Sequence, residues 1–141
     1  MADPVRPASA AAMSVAASAL RAQQARMRVI AENIANANST SAEKGGDPYR
    51  RQIPLFEAQK LGGGIEGVRL KGVAPDQRAF KLEYDPSHPA ADDNGYVKTS
   101  NVDTLVEALD MRQAQRAYEA NLNVIETARS MEMRTLDLLK K

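Results

Sequence analysis

Two long amphipathic patterns bracket the chain. From about residue 9 to 37, Met13, Leu20, Met27 and Ile34 recur every seven residues. Ala16/Ala17, Gln23/Gln24 and Ile30/Ala31 lie between them. This is a heptad seam with large knobs in one row and mostly small residues in the other. Pro4 and Pro7 precede it, and Ser9 suits an N-cap. At ~1.5 Å per residue such a helix is roughly 40 Å long. The second pattern runs over residues 102–139. Ala117, Val124, Met131 and Leu138 recur every seven, as do Ala114, Asn121, Ala128 and Thr135. Met111, Tyr118 and Ile125 widen the stripe. Ser100 with Asp103 suits a capping box. Lys140 and Lys141 sit where cations favour a helix C-terminus. Val102, Leu105, Val106 and Leu109 are offset from the later seam, so the register shifts near Asp110.

The segment between the helices follows other rules. Residues 38–100 hold five of the seven prolines (Pro48, Pro54, Pro75, Pro86, Pro89), which excludes a continuous helix there. Val68 and Leu70 alternate with Arg69 and Lys71; Phe80, Leu82 and Tyr84 alternate with Lys81 and Glu83. Both read as short half-buried strands. "YDPSHPAADDNGY" has loop chemistry. The expected fold is mainly α with a small β insert. Its segments are an N-terminal helix in 1–40, a Gly/Pro-rich β insert in 41–100 and a C-terminal helix in 101–141. The insert lets the chain return, so the two helices are expected to pair as an antiparallel coiled coil.

Composition sharpens this picture. The hydrophobic fraction is 43%, but much of it is alanine and aromatics are 4%, so long helical seams are easier to bury than a thick core. Part of such a chain is expected to fold only on meeting a partner. A net charge of +1 calls for neither nucleic acid nor an anionic membrane, and no direct membrane insertion is expected. The lack of cysteine excludes disulfides, thiolate metal sites and a cysteine nucleophile. No stretch approaches the ~20 apolar residues of a membrane span. Residues 8–20, "ASAAAMSVAASAL", follow Arg6 and superficially resemble a secretory signal. They are alanine and serine rather than leucine and run on into a polar amphipathic helix, so we read them as an uncleaved structural helix.

No stretch carries convincing chemistry. "GGGIEG", Gly62 to Gly67, matches a dinucleotide fingerprint in letters, but "VRLKGV" follows it as a strand pattern where a helix is needed. A flexible loop is expected instead. His88, the single histidine, lies between Ser87 and Pro89 and reads as an exposed loop residue. Asp92, Asp93 and Asn94 lack the alternating spacing and distal glutamate of a calcium loop, so a turn is expected. Arg21, Arg26 and Arg28 make the first helix basic. They suggest the rival reading of a stand-alone helical adaptor for an acidic partner or nucleic acid, but no aromatic is interleaved for base stacking. We expect no catalytic site, cofactor or metal.

"NIANANST" (33–40), followed by "PYRRQ" (48–52), resembles the N-terminal signature of bacterial flagellar rod, hook and hook-associated proteins. "NVDTLVEALDMRQAQRAYEANLNVIETARSM" (101–131) resembles their C-terminal signature. The segment "KLEYDPSHPAADDNGYVKTSNVD" and the short length are most similar to the proximal rod subunits of that family. Many relatives carry Thr-x-Gly-Tyr after the asparagine run; here "STSAEKGGDPYRRQ" stands in its place.

The resemblance implies a structural subunit of the flagellar rod, exported unfolded by an uncleaved N-terminal signal and built into a helical tube across the periplasm. The implied partners are other copies of the chain, proximal rod protein B, rod protein F, distal rod protein G, the ring-to-rod adaptor and the flagellar export apparatus. On that basis Met13, Leu20, Met27, Ile30 and Ile34 are expected to face Ala117, Tyr118, Val124, Ile125, Met131 and Leu138. Ala114 and Ala128 belong to the same interface. Gln23, Gln24 and Asn121 are expected to be polar seam positions that fix register. Asn33, Asn36 and Asn38 are expected to finish the helix end against neighbouring backbones.

Overall fold

A computed structural model describes residues 7–140. Pro4, Arg6 and Lys141, which the sequence places at the helix flanks, lie outside the described residues. The elements run α1 (Ala8–Ala35), β1 (Gln52–Gly62), β2 (Ile65–Pro75), β3 (Lys81–Tyr84), β4 (Tyr96–Thr99) and α2 (Thr104–Leu139). The two helices and the β insert are those expected. The helix caps differ from expectation. Among the described residues, the Pro7 carbonyl accepts the Ala11 N–H at 3.0 Å, one turn into α1. Ser9 therefore lies inside the first turn, and its hydroxyl donates to Glu132 Oε1 at 3.0 Å. In α2 the cap is Asp103 alone: its Oδ1 accepts from the Leu105 and Val106 N–H groups at 3.0 and 3.4 Å. Ser100 instead accepts from the Val102 N–H at 3.3 Å.

The chain forms two spatial units, each drawing on both helices and the insert. The first comprises the described parts of Met1–Met27, Leu55–Gly72 and Gln113–Lys141. Here the start of α1 meets the end of α2, as the Ser9–Glu132 bond shows. The most buried positions are small: Ala16, Ser18 and Ala22 on α1, Ala114 and Ala128 on α2. Small side chains let helices approach closely. The rows of large residues lie to the side, with Met13 and Leu20 half-buried and Val124 and Met131 exposed. β1 and β2 form a two-stranded sheet. Their connection is Gly63-Gly64, flanked by Gly62, with φ of 61°, 77° and 87° respectively. Positive φ at both central residues is the geometry of a tight hairpin turn. Gly62–Gly64 of "GGGIEG" thus form the hairpin tip and Ile65–Gly67 open β2, where a flexible loop was expected. Gly67, further along β2, is fixed by space: a Cβ there would sit 2.3 Å from Ser18 Oγ. That hydroxyl donates to the Val15 carbonyl at 2.7 Å and accepts the Val68 N–H at 3.2 Å, tying β2 to α1.

The second unit comprises Arg28–Pro54 and Val73–Arg112. β3 and β4 pair antiparallel, Lys81 opposite Thr99 and Tyr84 opposite Tyr96. The two tyrosine rings meet edge to face at 5.3 Å. β3 is exposed along its whole length, where the alternation predicts half-burial. A two-stranded sheet leaves its partner strand, not a second layer, as the main contact. Ala90, Ala91 and Val97 form a small apolar cluster. The end of α1 contributes buried Val29, Ile30 and Asn33. The chain then turns through Asn36–Asn38, with the Ser39 N–H donating to the Asn36 carbonyl at 3.1 Å.

Candidate functional site: a buried polar cluster

The second unit is organised by polar groups. Asn33, in the last turns of α1, is 1% exposed. Its amide reads the backbone of Gln52 in both directions: Nδ2 donates to the carbonyl and Oδ1 accepts the N–H, each at 2.9 Å. The Tyr49 hydroxyl donates to Oδ1 at 2.7 Å. Nδ2 also reaches Glu107 Oε2 at 3.4 Å. A helix-interior asparagine is unfavourable by propensity, but here every amide function has a partner from outside the helix.

Arg51 stands at the centre. Its Nε donates to Oε1 of Glu107, whose side chain is fully buried. Its Nη1 donates to Asp76 Oδ2 at 3.2 Å, and its Nη2 lies 3.7 Å from Asp110. Its main-chain N–H donates to Asn101 Oδ1 at 2.7 Å, and its carbonyl accepts the Asp76 N–H at 2.9 Å. Asn101 Nδ2 donates to the carbonyls of Asp76 and Arg78, both at 3.0 Å. Arg78 closes on Asp76 Oδ2 at 2.7 Å. Arg50 donates to the Asp76 carbonyl at 2.7 Å while its guanidinium lies 4.2 Å from the Phe80 ring centroid.

The electrostatics are those of matched buried charges. Hydrogen bonds from Arg78 hold the Asp76 carboxyl well below the usual carboxylate range, against the opposing effect of burial and with help from Arg51. Burial disfavours the Arg51 cation, but Glu107 and then Asp76 outweigh it and raise its pKa. Burial, followed by Glu32 and Glu107, raises that of the Tyr49 hydroxyl. A desolvated charge persists only when paired and hydrogen-bonded, and Asp76, Glu107 and Arg51 meet that condition together. The side chains satisfy one another, which suits them to clamping backbone rather than to acid–base chemistry. Among the described residues no group of three or more His, Asp or Glu is placed to hold a metal.

The residues singled out in the sequence fall into different environments. Asn33, Ile30, Ala114 and Ala128 are buried; Met13, Leu20, Gln23, Met27, Asn36, Ala117, Tyr118, Asn121 and Ile125 are half-buried. Gln24, Ile34, Asn38, Val124, Met131 and Leu138 are exposed. Two of the amides bond back to a nearby helix carbonyl: Asn36, just past α1, to that of Glu32, and Asn121 to that of Ala117, both at 2.8 Å. The sequence reading missed Arg51, Asp76, Asn101 and Glu107. Arg51, Asn101 and Glu107 lie within the quoted motifs, but nothing local marks them as partners.

The family model described as "Flagella basal body rod protein" matches residues 13–41. That described as "Flagellar basal body rod FlgEFG protein C-terminal" matches residues 93–138. Asn33 lies in the first match, Asn101, Glu107 and Asp110 in the second. The flagellar basal-body rod protein FlgC of Agrobacterium fabrum is 47% identical over 131 residues, 92% of this chain and 94% of its own length. The FlgC proteins of Salmonella typhimurium and Bacillus subtilis are 42% and 35% identical, over 88% and 91% of this chain and 92% and 96% of their own lengths. The chain belongs to the FlgC family of flagellar basal-body rod proteins. It is a structural subunit of the bacterial flagellar basal body, and its family assembles with other rod proteins. No helix among the described residues is long and apolar enough to cross a membrane.

Proposed function

We propose that this FlgC-family chain is a proximal rod subunit, polymerising into the helical shaft that crosses the periplasm and transmits torque. It is exported unfolded with an uncleaved N-terminus. It contacts other copies of itself, proximal rod protein B, rod protein F, distal rod protein G and the ring-to-rod adaptor. The terminal helices pair as coiled coils within and between subunits. Met13, Leu20, Met27 and Ile34 on α1, with Val124, Met131 and Leu138 on α2, form the assembly interface.

The observation that carries this reading is the apolar surface left on α2. Val124, Met131 and Leu138 are 43%, 57% and 72% exposed, one heptad apart. Apolar stripes of this kind mark contact surfaces. A second observation supports it: Gln23 Oε1 is buried without a hydrogen-bond partner. Such an acceptor calls for a donor, and a shift of the Gln23 side chain on assembly would bring its amide to the surface of α1. Contacts that run head to tail without closing generate an open helical tube.

The test is complementation of a strain lacking its own proximal rod subunit, followed by isolation of basal bodies. Val124→Asp is expected to abolish rod incorporation and swimming while the free subunit keeps its unfolding midpoint. Normal rods from that variant would remove the seam assignment.

A further inference from the structure

The loop joining β3 to β4 carries the chain's single histidine. His88 is half-buried, not the exposed loop residue expected from its neighbours. Its main chain closes two turns, donating to the Asp85 carbonyl at 3.1 Å and accepting the Ala91 N–H at 3.0 Å. Its ring closes a third: Nδ1 accepts the N–H of Ala90 at 3.0 Å. Ala90 is 3% exposed and, with Ala91 and Val97, forms the apolar cluster of this unit. Its carbonyl also receives the Gly45 N–H at 3.1 Å. The ring thus anchors the point at which the loop is fastened to β4 and to the 41–46 turn.

An imidazole accepts through Nδ1 only while that nitrogen is unprotonated; the imidazolium has two donors and no acceptor. The charged groups around the ring bear on which form it takes. One flanking cavity is lined by Lys81, Glu83 and Asp85, the other by Lys44, Asp92 and Asp93. Both cations are engaged: Lys81 donates to the Val102 carbonyl at 3.0 Å, and Lys44 pairs with Asp93 at 2.8 Å. Asp92 Oδ1 accepts the Asn94 and Tyr96 N–H groups, and Asp85 accepts the Ser87 hydroxyl. That leaves acceptor capacity at Glu83 and Asp85 for a cationic ring. Two arrangements of the same side chain compete, one using Ala90 and one using carboxylates.

We propose that His88 is a proton-operated clasp. The neutral ring holds Ala90 and closes the loop on Val97; the protonated ring releases Ala90, turns toward Glu83 and Asp85, and opens the loop. The consequence goes beyond a rod-building role and applies to the free subunit. It makes this surface of the second unit conditional on pH.

The test is amide hydrogen exchange by NMR on the full-length free chain from about pH 8 to 5, the range in which histidine ordinarily titrates. The imidazole resonances are followed in the same samples. The neutral ring is expected to carry its proton on Nε2. The protection factor of the Ala90 amide is expected to fall at least about tenfold as the ring becomes protonated. In His88→Gln, whose amide oxygen can accept but does not titrate, Ala90 protection is expected to be level with pH. Wild-type protection that stays level through the ring's titration would overturn the clasp. So would an Nδ1-protonated neutral tautomer, which the wild-type spectrum reads without any variant.

Discussion

At the scale of single residues, this protein is held by a few buried polar side chains whose partners are distant in sequence. Glu107 has a fully buried side chain and its strongest partner is Arg51. Glu107→Ala leaves a desolvated guanidinium with a weaker set of acceptors. It is expected to cost about 3–5 kcal/mol, the range for removing one member of a buried pair, read as a lower urea midpoint. Asn33→Ala removes two bonds to the half-buried Gln52 backbone and the acceptor of the Tyr49 hydroxyl, and should cost on the order of 2 kcal/mol. Asn36→Ala loses only a bond to the carbonyl one turn back and should stay within about 0.5 kcal/mol. The contrast separates two asparagines that look alike in the sequence. The pH dependence follows from Asp76. Its native carboxyl is more acidic than its ordinary 3.8, so the native state binds fewer protons than the unfolded one near that value. Its contribution to stability is complete above about pH 4 and drains away as pH falls below it. Acid titration of Asp76→Asn should accordingly show a smaller loss of stability below about pH 4 than the wild type.

At the scale of elements, the sequence predicts the existence of both helices and places their ends within a few residues. Heptad spacing is a strong signal over long segments. It does not settle which flank of the seam is most deeply buried. The large residues Met13, Leu20, Val124 and Met131 dominate the pattern, yet Ala16, Ala22, Ala114 and Ala128 are the buried ones. Close approach selects for the absence of bulk, so the small row of the pattern (Ala16, Ala114 and Ala128), rather than the large one, marks the depth of burial; Ala22 falls outside both rows. β1 is illegible for another reason. "QIPLFEAQKLG" neither alternates cleanly nor avoids proline, and a two-stranded sheet tolerates both. The polar cluster is hidden because its pairs are far apart: Arg51 is 25 residues from Asp76 and 56 from Glu107. The same scale gives a test of how the hairpin seats on α1. Gly67→Ala places a methyl against Ser18 and Leu61, so Ser18 must surrender its bond to Val68 or β2 must lift. A loss of about 1–3 kcal/mol is expected, with faster amide exchange along β2 than along β3.

At the scale of the whole molecule, apolar surface is unevenly distributed. The second half of α2 leaves Met131, Met133, Leu136, Leu138 and Leu139 each more than half exposed. Under the proposed rod assembly, neighbouring subunits cover this surface. The free subunit is therefore expected to exchange its α2 C-terminal amides faster than those near Glu107, and to slow them on polymerisation. Equal protection at both ends in the dilute chain would count against folding completed by assembly.

The glycine turn at the tip of the first hairpin has a practical consequence. A Cβ built on Gly64 meets nothing within 4 Å, and Gly62 and Gly64 are both exposed. The strands on either side are joined to each other and β2 is tied to α1 at Ser18, so the tip itself carries little of the fold. Exposed loop tips of small residues accept added sequence. A short epitope spliced between Gly63 and Gly64 should leave the subunit functional, giving a handle with which to mark this chain's level in an isolated basal body.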